Sequence, residues 1–179
     1  MEILTDRLIL TEISWDDLED LHRLHSCPEV DEFNTLGIPK NMEATKEIIR
    51  PFIEGQHRDP RGSFGWKIIL KDSGMMIGMA GMFLSCDKYR LGELFYKLFP
   101  DHWSKGYATE VCRAQIKFGF EELHLHKVEA GVATENVKSI RVLEKSGMTR
   151  EGLRRKILPI RGQWIDNYHY AIVEDDPRH

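Results

Sequence analysis

From Leu91 to Val173 the chain alternates between two hydrophobic periods, and this alternation most narrows the folds open to it. An aromatic-rich run, Leu91 to Phe99, reads as a strand stopped by Pro100-Asp101. From Ala108 onward Val111, Cys112, Ile116, Gly119, Phe120 and Leu123 fall on one face of a helix. Lys127 to Ala133 is a short strand. Val137 to Ser146 is a helix ended by Gly147, a glycine stop. Two strands, about Thr149 to Leu158 and Trp164 to Val173, meet across Arg161-Gly162. The first half reads differently. Ile3 to Glu12 is taken as one strand. Ser14 caps a helix with acids in its first turn and Leu18, Leu21 and His25 at helical spacing, ended by Pro28. Asn41 is placed to cap a second helix whose apolar face is Ile48, Ile49, Phe52 and Ile53. Phe64 to Leu70 and Met75 to Leu84 flank the hairpin signal Asp72-Ser73-Gly74. Hairpins followed by strand–helix alternation predict a mixed sheet with helices on both faces.

Size and charge exclude several classes. The 179 residues predict one domain, residues 1–179, long enough to build a core without staples. Net charge is −4, which argues against a dedicated nucleic-acid binder. Cys27, Cys86 and Cys112 are an odd, widely spaced set, so a disulfide framework is not expected and a reducing, cytoplasmic setting fits. The opening MEILTDRLIL does not read as a secretory leader, and no run approaches a membrane span. His22 with His25, and His124 with His126, bring no third ligand, so no metal site is expected. The turn-rich patch from His57 to Ser63 reads as a loop.

Two stretches carry chemistry. In Pro100 to Glu110 a strand ends, a loop with Ser104, Lys105 and Gly106 follows, and a long helix begins. A helix start offers unpaired N–H groups and a positive dipole end to a phosphate, and Gly106 and Ala108 leave the backbone open to close approach. Lys105 adds a point charge. The same residues also suit a plain strand-to-helix turn. In Glu135 to Met148, Asn136 stands as N-cap and Ser139 in the first turn, which a simple cap would equally explain.

Taken together, Trp-Ser-Lys-Gly-Tyr-Ala-Thr at 103–109, the strand Lys-Val-Glu-Ala-Gly-Val at 127–132 and Asn-x-x-Ser-x-x-Val-Leu-x-x-x-Gly-Met at 136–148 resemble the GNAT N-acetyltransferases. The opening Thr5-Asp-Arg-Leu-Ile-Leu10 and the closing Gly162-Gln-Trp-Ile-Asp-Asn-Tyr-His-Tyr170 are similar to the RimJ/RimL-like branch, which acetylates ribosomal-protein N-termini. The likeness runs from about residue 3 to 173. It implies an α/β fold (α+β in strand order): a mixed, mostly antiparallel seven-stranded sheet with helices on both faces and a splayed parallel strand pair. It implies acetyl-CoA as co-substrate and no metal. The backbone near Tyr96, Lys97 and Leu98 would pair with the pantetheine arm. Ser104, Lys105, Gly106, Tyr107, Ala108 and Thr109 would hold the pyrophosphate. Asn136 and Ser139 would reach the pantetheine and thioester end. The chain also departs from the pattern. Trp103 stands where the family has Arg or Gln, Leu143 where a helix Tyr often serves as general acid, and Gly131 where some members carry a strand Glu.

Acyl transfer to an amine needs a deprotonated nitrogen, donors for an oxyanion and a leaving thiolate. The backbone N–H near Leu98 is the expected oxyanion donor. Ser139 is the candidate for orienting or protonating the sulfur. For the base, Glu93 leads, with Glu129 behind it and a water relay open. Without a strong base the reading leans to an α-amine of pKa 7.7–8.0 over an amine near 10. Glu29, Asp31 and Glu32 are the candidates for amine recognition, whereas the acids at 16–20 read as a solvated helix face. The sequence thus points to acetyl transfer onto a primary amine, first the N-terminal α-amine of a ribosomal-type protein or peptide, next a polyamine or aminoglycoside. A non-catalytic acyl-CoA-binding module is the rival class. No nucleic-acid or membrane partner is expected, and either a monomer or a homodimer is compatible.

Overall fold

The computed structural model describes residues 1–178. Eight strands form one sheet in the order β1-β2-β3-β4-β5-β6-β8-β7. They are β1 (Glu2–Leu4), β2 (Leu8–Glu12), β3 (Ser63–Leu70), β4 (Met76–Leu84), β5 (Leu91–Leu98), β6 (Lys127–Ala133), β7 (Thr149–Ile160) and β8 (Gln163–Val173). Every neighbouring pair is antiparallel except β5 with β6. The helices are α1 (Leu18–His25), α2 (Pro28–Asp31), α3 (Met42–Glu54), α4 (Tyr107–Glu121) and α5 (Val137–Lys145). No helix is long and apolar enough to cross a membrane.

The seven-stranded expectation needs one correction. Ile3 to Glu12 is two strands, because the chain turns at Thr5-Asp6-Arg7, where Thr5 N–H donates to Leu8 C=O and Arg7 N–H donates to Glu110 Oε1. The signal for that break lies 103 residues away. Other local expectations hold. Asn41 Oδ1 accepts from Ala44 N–H at 2.9 Å, capping α3. Arg161 and Gly162 both take positive φ, the turn a two-residue hairpin requires. Gly147, at φ 88°, stops α5.

The helices divide between the two faces. α1 and α3 cover one, where Leu21, Leu24, Ile49, Phe52 and Met79 form a buried cluster with Ile13. Leu21 and Leu24 are fully buried, worth about 1.5–3 kcal/mol each. α4 and α5 cover the other face, over a larger cluster that includes Trp66, Val111, Ile116, Phe118, Val128 and Tyr170. Phe118 meets the stacked rings of Phe64 and Trp66 edge-on at 5.2 and 5.3 Å.

Candidate active site

The only parallel pair among the described strands is also an incomplete one. β5 and β6 pair at Leu91 with Lys127, Gly92 with Val128 and Glu93 with Glu129, and no further. Beyond those residues β6 continues against β8, and β5 continues against β4 alone. The β4–β5 ladder is anchored by Ser85 N–H to Leu91 C=O and by Phe99 N–H to Ile77 C=O. Antiparallel alternation then directs the backbone of odd-numbered β5 residues toward β4. Tyr96 and Leu98 are left with backbone groups facing the gap. Lys97, grouped with them at the sequence level, spends its backbone on Met79 instead. The Leu98 carbonyl is already occupied by the Trp103 indole N–H at 2.8 Å. Trp103 therefore fills its departed family position with a structural bond, and Lys138 lies 4.8 Å over its ring.

A cleft of about 730 Å³ runs through this gap. On the α4–α5 side it is lined by Ser104, Gly106, Tyr107, Ala108, Thr109, Asn136 and Ser139. Gly106 caps α4 in the left-handed region at φ 82°, and no side chain caps the helix. The first-turn N–H groups of α4 thus lack intrahelical partners and meet the cleft with the positive end of the helix dipole. Lys105 does not line it; its carbonyl accepts from Arg7 Nη1 at 3.0 Å. Arg7 also pairs with Glu110 at 2.7 Å and lies 4.4 Å over the Tyr107 ring, so the N-terminal Thr-Asp-Arg segment braces the loop from outside. Asn136 Oδ1 accepts from Ser139 N–H at 3.2 Å, which caps α5. The Ser139 hydroxyl sits 2.8 Å from the Tyr96 hydroxyl. Burial drives the Tyr96 phenol far above its ordinary pKa, so this hydroxyl stays protonated and can act only as a neutral hydrogen-bonding group.

On the α1–α2 side the lining is Glu29, Val30, Glu32, Phe33, Asn34, Phe95 and Lys97. Of the three acids expected to recognise the amine, Glu29 and Glu32 line the cleft. Asp31 does not line it: it turns inward, 5% exposed, with Oδ2 3.6 Å from Arg161 and Oδ1 without a partner among the described residues. Its position on the inner face of a one-turn helix sends it away from the groove its neighbours face. Glu93 is exposed and stands outside the cleft lining, directly opposite Phe83 of the neighbouring strand β4. Glu129 is engaged by Lys127 at 3.7 Å and His169 at 3.4 Å. Sequence reasoning missed Phe33, Glu135 and the basic row Lys138, Arg141 and Lys145 along the cleft side of α5. The 3–4 spacing of that row was legible as one helical face. Cys112 is wholly buried and its thiol is pushed up to about 12, so it is core. Among the described residues no cluster is placed to hold a metal ion.

The donor set fits a coenzyme A thioester. Unpaired helix N–H groups suit a diphosphate, the cations of α5 suit further phosphate, and the open strand edge suits the amides of a pantetheine arm. Comparison with known proteins agrees. A model of the family described as "Acetyltransferase (GNAT) domain" matches residues 7–149. The Bacillus subtilis (strain 168) protein named uncharacterized N-acetyltransferase YnaD is 32% identical over 178 residues, covering 98% of this chain and 99% of its own. Among solved structures, a GNAT-family acetyltransferase of Bacillus anthracis aligns with TM-score 0.85 at 29% identity, over 98% of this chain and 100% of that one. The spermidine N-acetyltransferase of Vibrio cholerae, in complex with CoA and spermine, aligns at 0.84 and 20% identity, over 96% and 98%. The ribosomal-protein-S5-alanine acetyltransferase of Vibrio fischeri aligns at 0.84 and 20%, over 98% of each chain. A strand pair that opens onto a bare helix start, in a sequence that matches the family over most of its length, places this chain in the GNAT acetyltransferase family.

Proposed function

We propose that the chain transfers the acetyl group of acetyl-CoA to the N-terminal α-amine of a protein or peptide. The observation that carries this reading is the continuity of the cleft: one cavity joins the α4 helix start to the acidic groove at α2 by way of the gap between β5 and β6. A cofactor laid along α4 and α5 would present its thioester at the gap, and an amine would approach from Glu29, Glu32 and Phe33. The Leu98 N–H faces that gap and is the donor for the oxyanion. Ser139, held by Tyr96 and Asn136, would orient or protonate the sulfur. Glu93 and Glu129 form the last β5–β6 pair before the gap but neither lines the cleft, so neither is placed there to strip an amine of pKa near 10. That favours an α-amine, whose ordinary pKa is 7.7–8.0. The RimJ/RimL-like sequence motifs and the fold shared with an S5-alanine acetyltransferase support a ribosomal-type protein acceptor.

A second reading, a polyamine acceptor, has its own observation: Glu29 and Glu32 give the groove two carboxylates that would suit a polycation; the fold is also shared with a spermidine enzyme. The experiment that separates them measures thiol release from acetyl-CoA across N-terminal peptides and polyamines. Peptide turnover exceeding that of spermidine at least tenfold in kcat/KM is expected. The reverse order removes the α-amine reading, and tight CoA binding with no thiol release for any amine leaves a binding module.

A further inference from the structure

Lys97 is a cleft-lining, part-buried cation that the transfer just described does not use. It leaves β5 on the face opposite Tyr96, next in sequence to the proposed oxyanion donor Leu98. Its side chain reaches under α1 to His25, with Nζ 3.3 Å from Nδ1. Nζ forms no ion pair among the described residues. Asp31 is its nearest acidic influence, and that carboxylate faces Arg161. His25 is 3% exposed, and burial, then Lys97, then His22 lower its pKa to about 3. The ring is therefore neutral, and because a lysine ammonium only donates, Nδ1 must accept. That assigns the ring proton to Nε2, which is buried without a partner. A neutral imidazole fixes the amine in space without stabilising its charge as a carboxylate would.

We propose that Lys97 is a catalytic residue: its uncharged amine takes the proton that the acceptor nitrogen sheds as the amide forms. The inference rests on the acetyl-transfer reading above. The acceptor nitrogen donates its lone pair to the acetyl carbon, and the C–S bond breaks with its pair on sulfur. One proton leaves that nitrogen for Lys97 Nζ, which becomes an ammonium and returns the proton to solvent before the next turnover. Burial lowers Lys97 from 10.5 to about 8, partly opposed by Asp31. That brings its amine into the range of an α-amine and away from an amine near 10. The other charged groups facing it are few. His22 is bound to Thr45 at 2.6 Å, and Glu29 and Glu32 line the groove. Lys67, beyond Met79, is paired with Asp17 at 2.7 Å, and Arg23 stacks on Phe99.

The first test needs no turnover. The free protein is labelled with trace acetic anhydride from pH 6 to 10, and the peptide carrying Lys97 is followed by mass spectrometry. A labelling midpoint near 8, against about 10 for exposed lysines, is expected; a midpoint near 10 overturns the proposal. The second compares Lys97→Met and Lys97→Arg with the wild type. Both are expected to bind acetyl-CoA within threefold of wild type and to lose kcat with a peptide amine by about 100-fold at pH 7, with the loss shrinking by pH 9.5 as hydroxide takes over as proton acceptor. A Lys97→Met enzyme within threefold of wild-type kcat refutes the base role. A wild-type chain that releases no thiol with any amine refutes the transfer reading itself, and the base role with it.

Discussion

Arg7 is where the cofactor loop is most open to a clean perturbation. Its Nε meets Glu110 Oε2 at 2.7 Å, its Nη1 donates to the Lys105 carbonyl at 3.0 Å, and its guanidinium covers Tyr107. Burial alone would raise the Glu110 carboxyl. Bonds from the Thr5 hydroxyl and from the Arg7 backbone and side chain outweigh it and hold the pKa below its ordinary value. Arg7→Met keeps an apolar stem over Tyr107 and deletes two charge-assisted bonds, while Thr5 and the Arg7 N–H still satisfy Glu110. The Arg7 side chain is 48% exposed, so solvent screens the pair and each bond is worth about 0.5–1 kcal/mol instead of the 1.5–3 of a buried one. The expected loss is about 1–2 kcal/mol, a fall in Tm of about 2–8 °C for a chain this size. The same bonds hold a loop with two left-handed residues, Ser104 at φ 60° and Gly106 at φ 82°. If the bound shape of that loop loses about 1.4 kcal/mol of its preference, apparent CoA affinity falls about tenfold. Titration calorimetry with CoA should show that rise in Kd, and thiol release at saturating acetyl-CoA should keep kcat within twofold. A lowered Tm with unchanged Kd would refute the reasoning and leave Arg7 as a staple between β2 and α4.

The other outcomes probe different parts of the cleft. Gly106→Glu puts a carboxylate and a Cβ into a left-handed position whose nearest neighbour is Arg7 Nη2 at 3.3 Å; CoA binding should be lost in calorimetry while circular dichroism stays native. Tyr96→Phe and Ser139→Ala each remove one side of the 2.8 Å hydroxyl pair, costing about 1 kcal/mol in urea melts, and the double variant should cost clearly less than the sum. His25 sets an acid limit. Its folded pKa of about 3 lies below the ordinary 6.5, so the unfolded chain binds the extra proton and stability drops as pH falls through 6.5 toward 3. Between pH 7 and 5 that amounts to about 2 kcal/mol. Urea midpoints of His25→Gln should vary correspondingly less over that interval; an identical slope would contradict a neutral buried ring.

Features legible in the sequence were those whose cause is local. The Asp72-Ser73-Gly74 and Arg161-Gly162 turns, the Asn136 cap and the Gly147 stop depend on a few neighbouring residues, and all are present. The helix start at Gly106 was equally plain, since a glycine after a strand and before an apolar helical face leaves few alternatives. What stayed hidden depends on distant partners. The break between β1 and β2 depends on Glu110, the environment of Lys97 on a histidine 72 residues earlier, and the pairing of Asp31 on Arg161. Periodicity places a residue on a face; it says nothing about which side chain from elsewhere meets it there.

The departures from the family motif now have a common physical reading. A side chain at Gly131 would bring its Cβ to 3.1 Å from the buried Asn167 amide, so a strand carboxylate there would force that amide to move. Leu143 is 1% exposed in the main core, and a phenol in its place would bury a hydroxyl among apolar groups or overpack them. Packing thus closes the position of Leu143, whereas Gly131 is exposed and its nearest neighbour is the end of the Asn167 side chain. The backbone that receives the cofactor is unaffected, because a helix start and an unpaired strand edge do not depend on either residue. Proton traffic is affected, and among the polar groups that line the cleft are the Tyr96–Ser139 pair on the α5 side and Lys97, backed by the buried His25, on the α1 side. One side can serve the departing sulfur and the other the arriving amine, which is the separation an acyl transfer across a sheet requires.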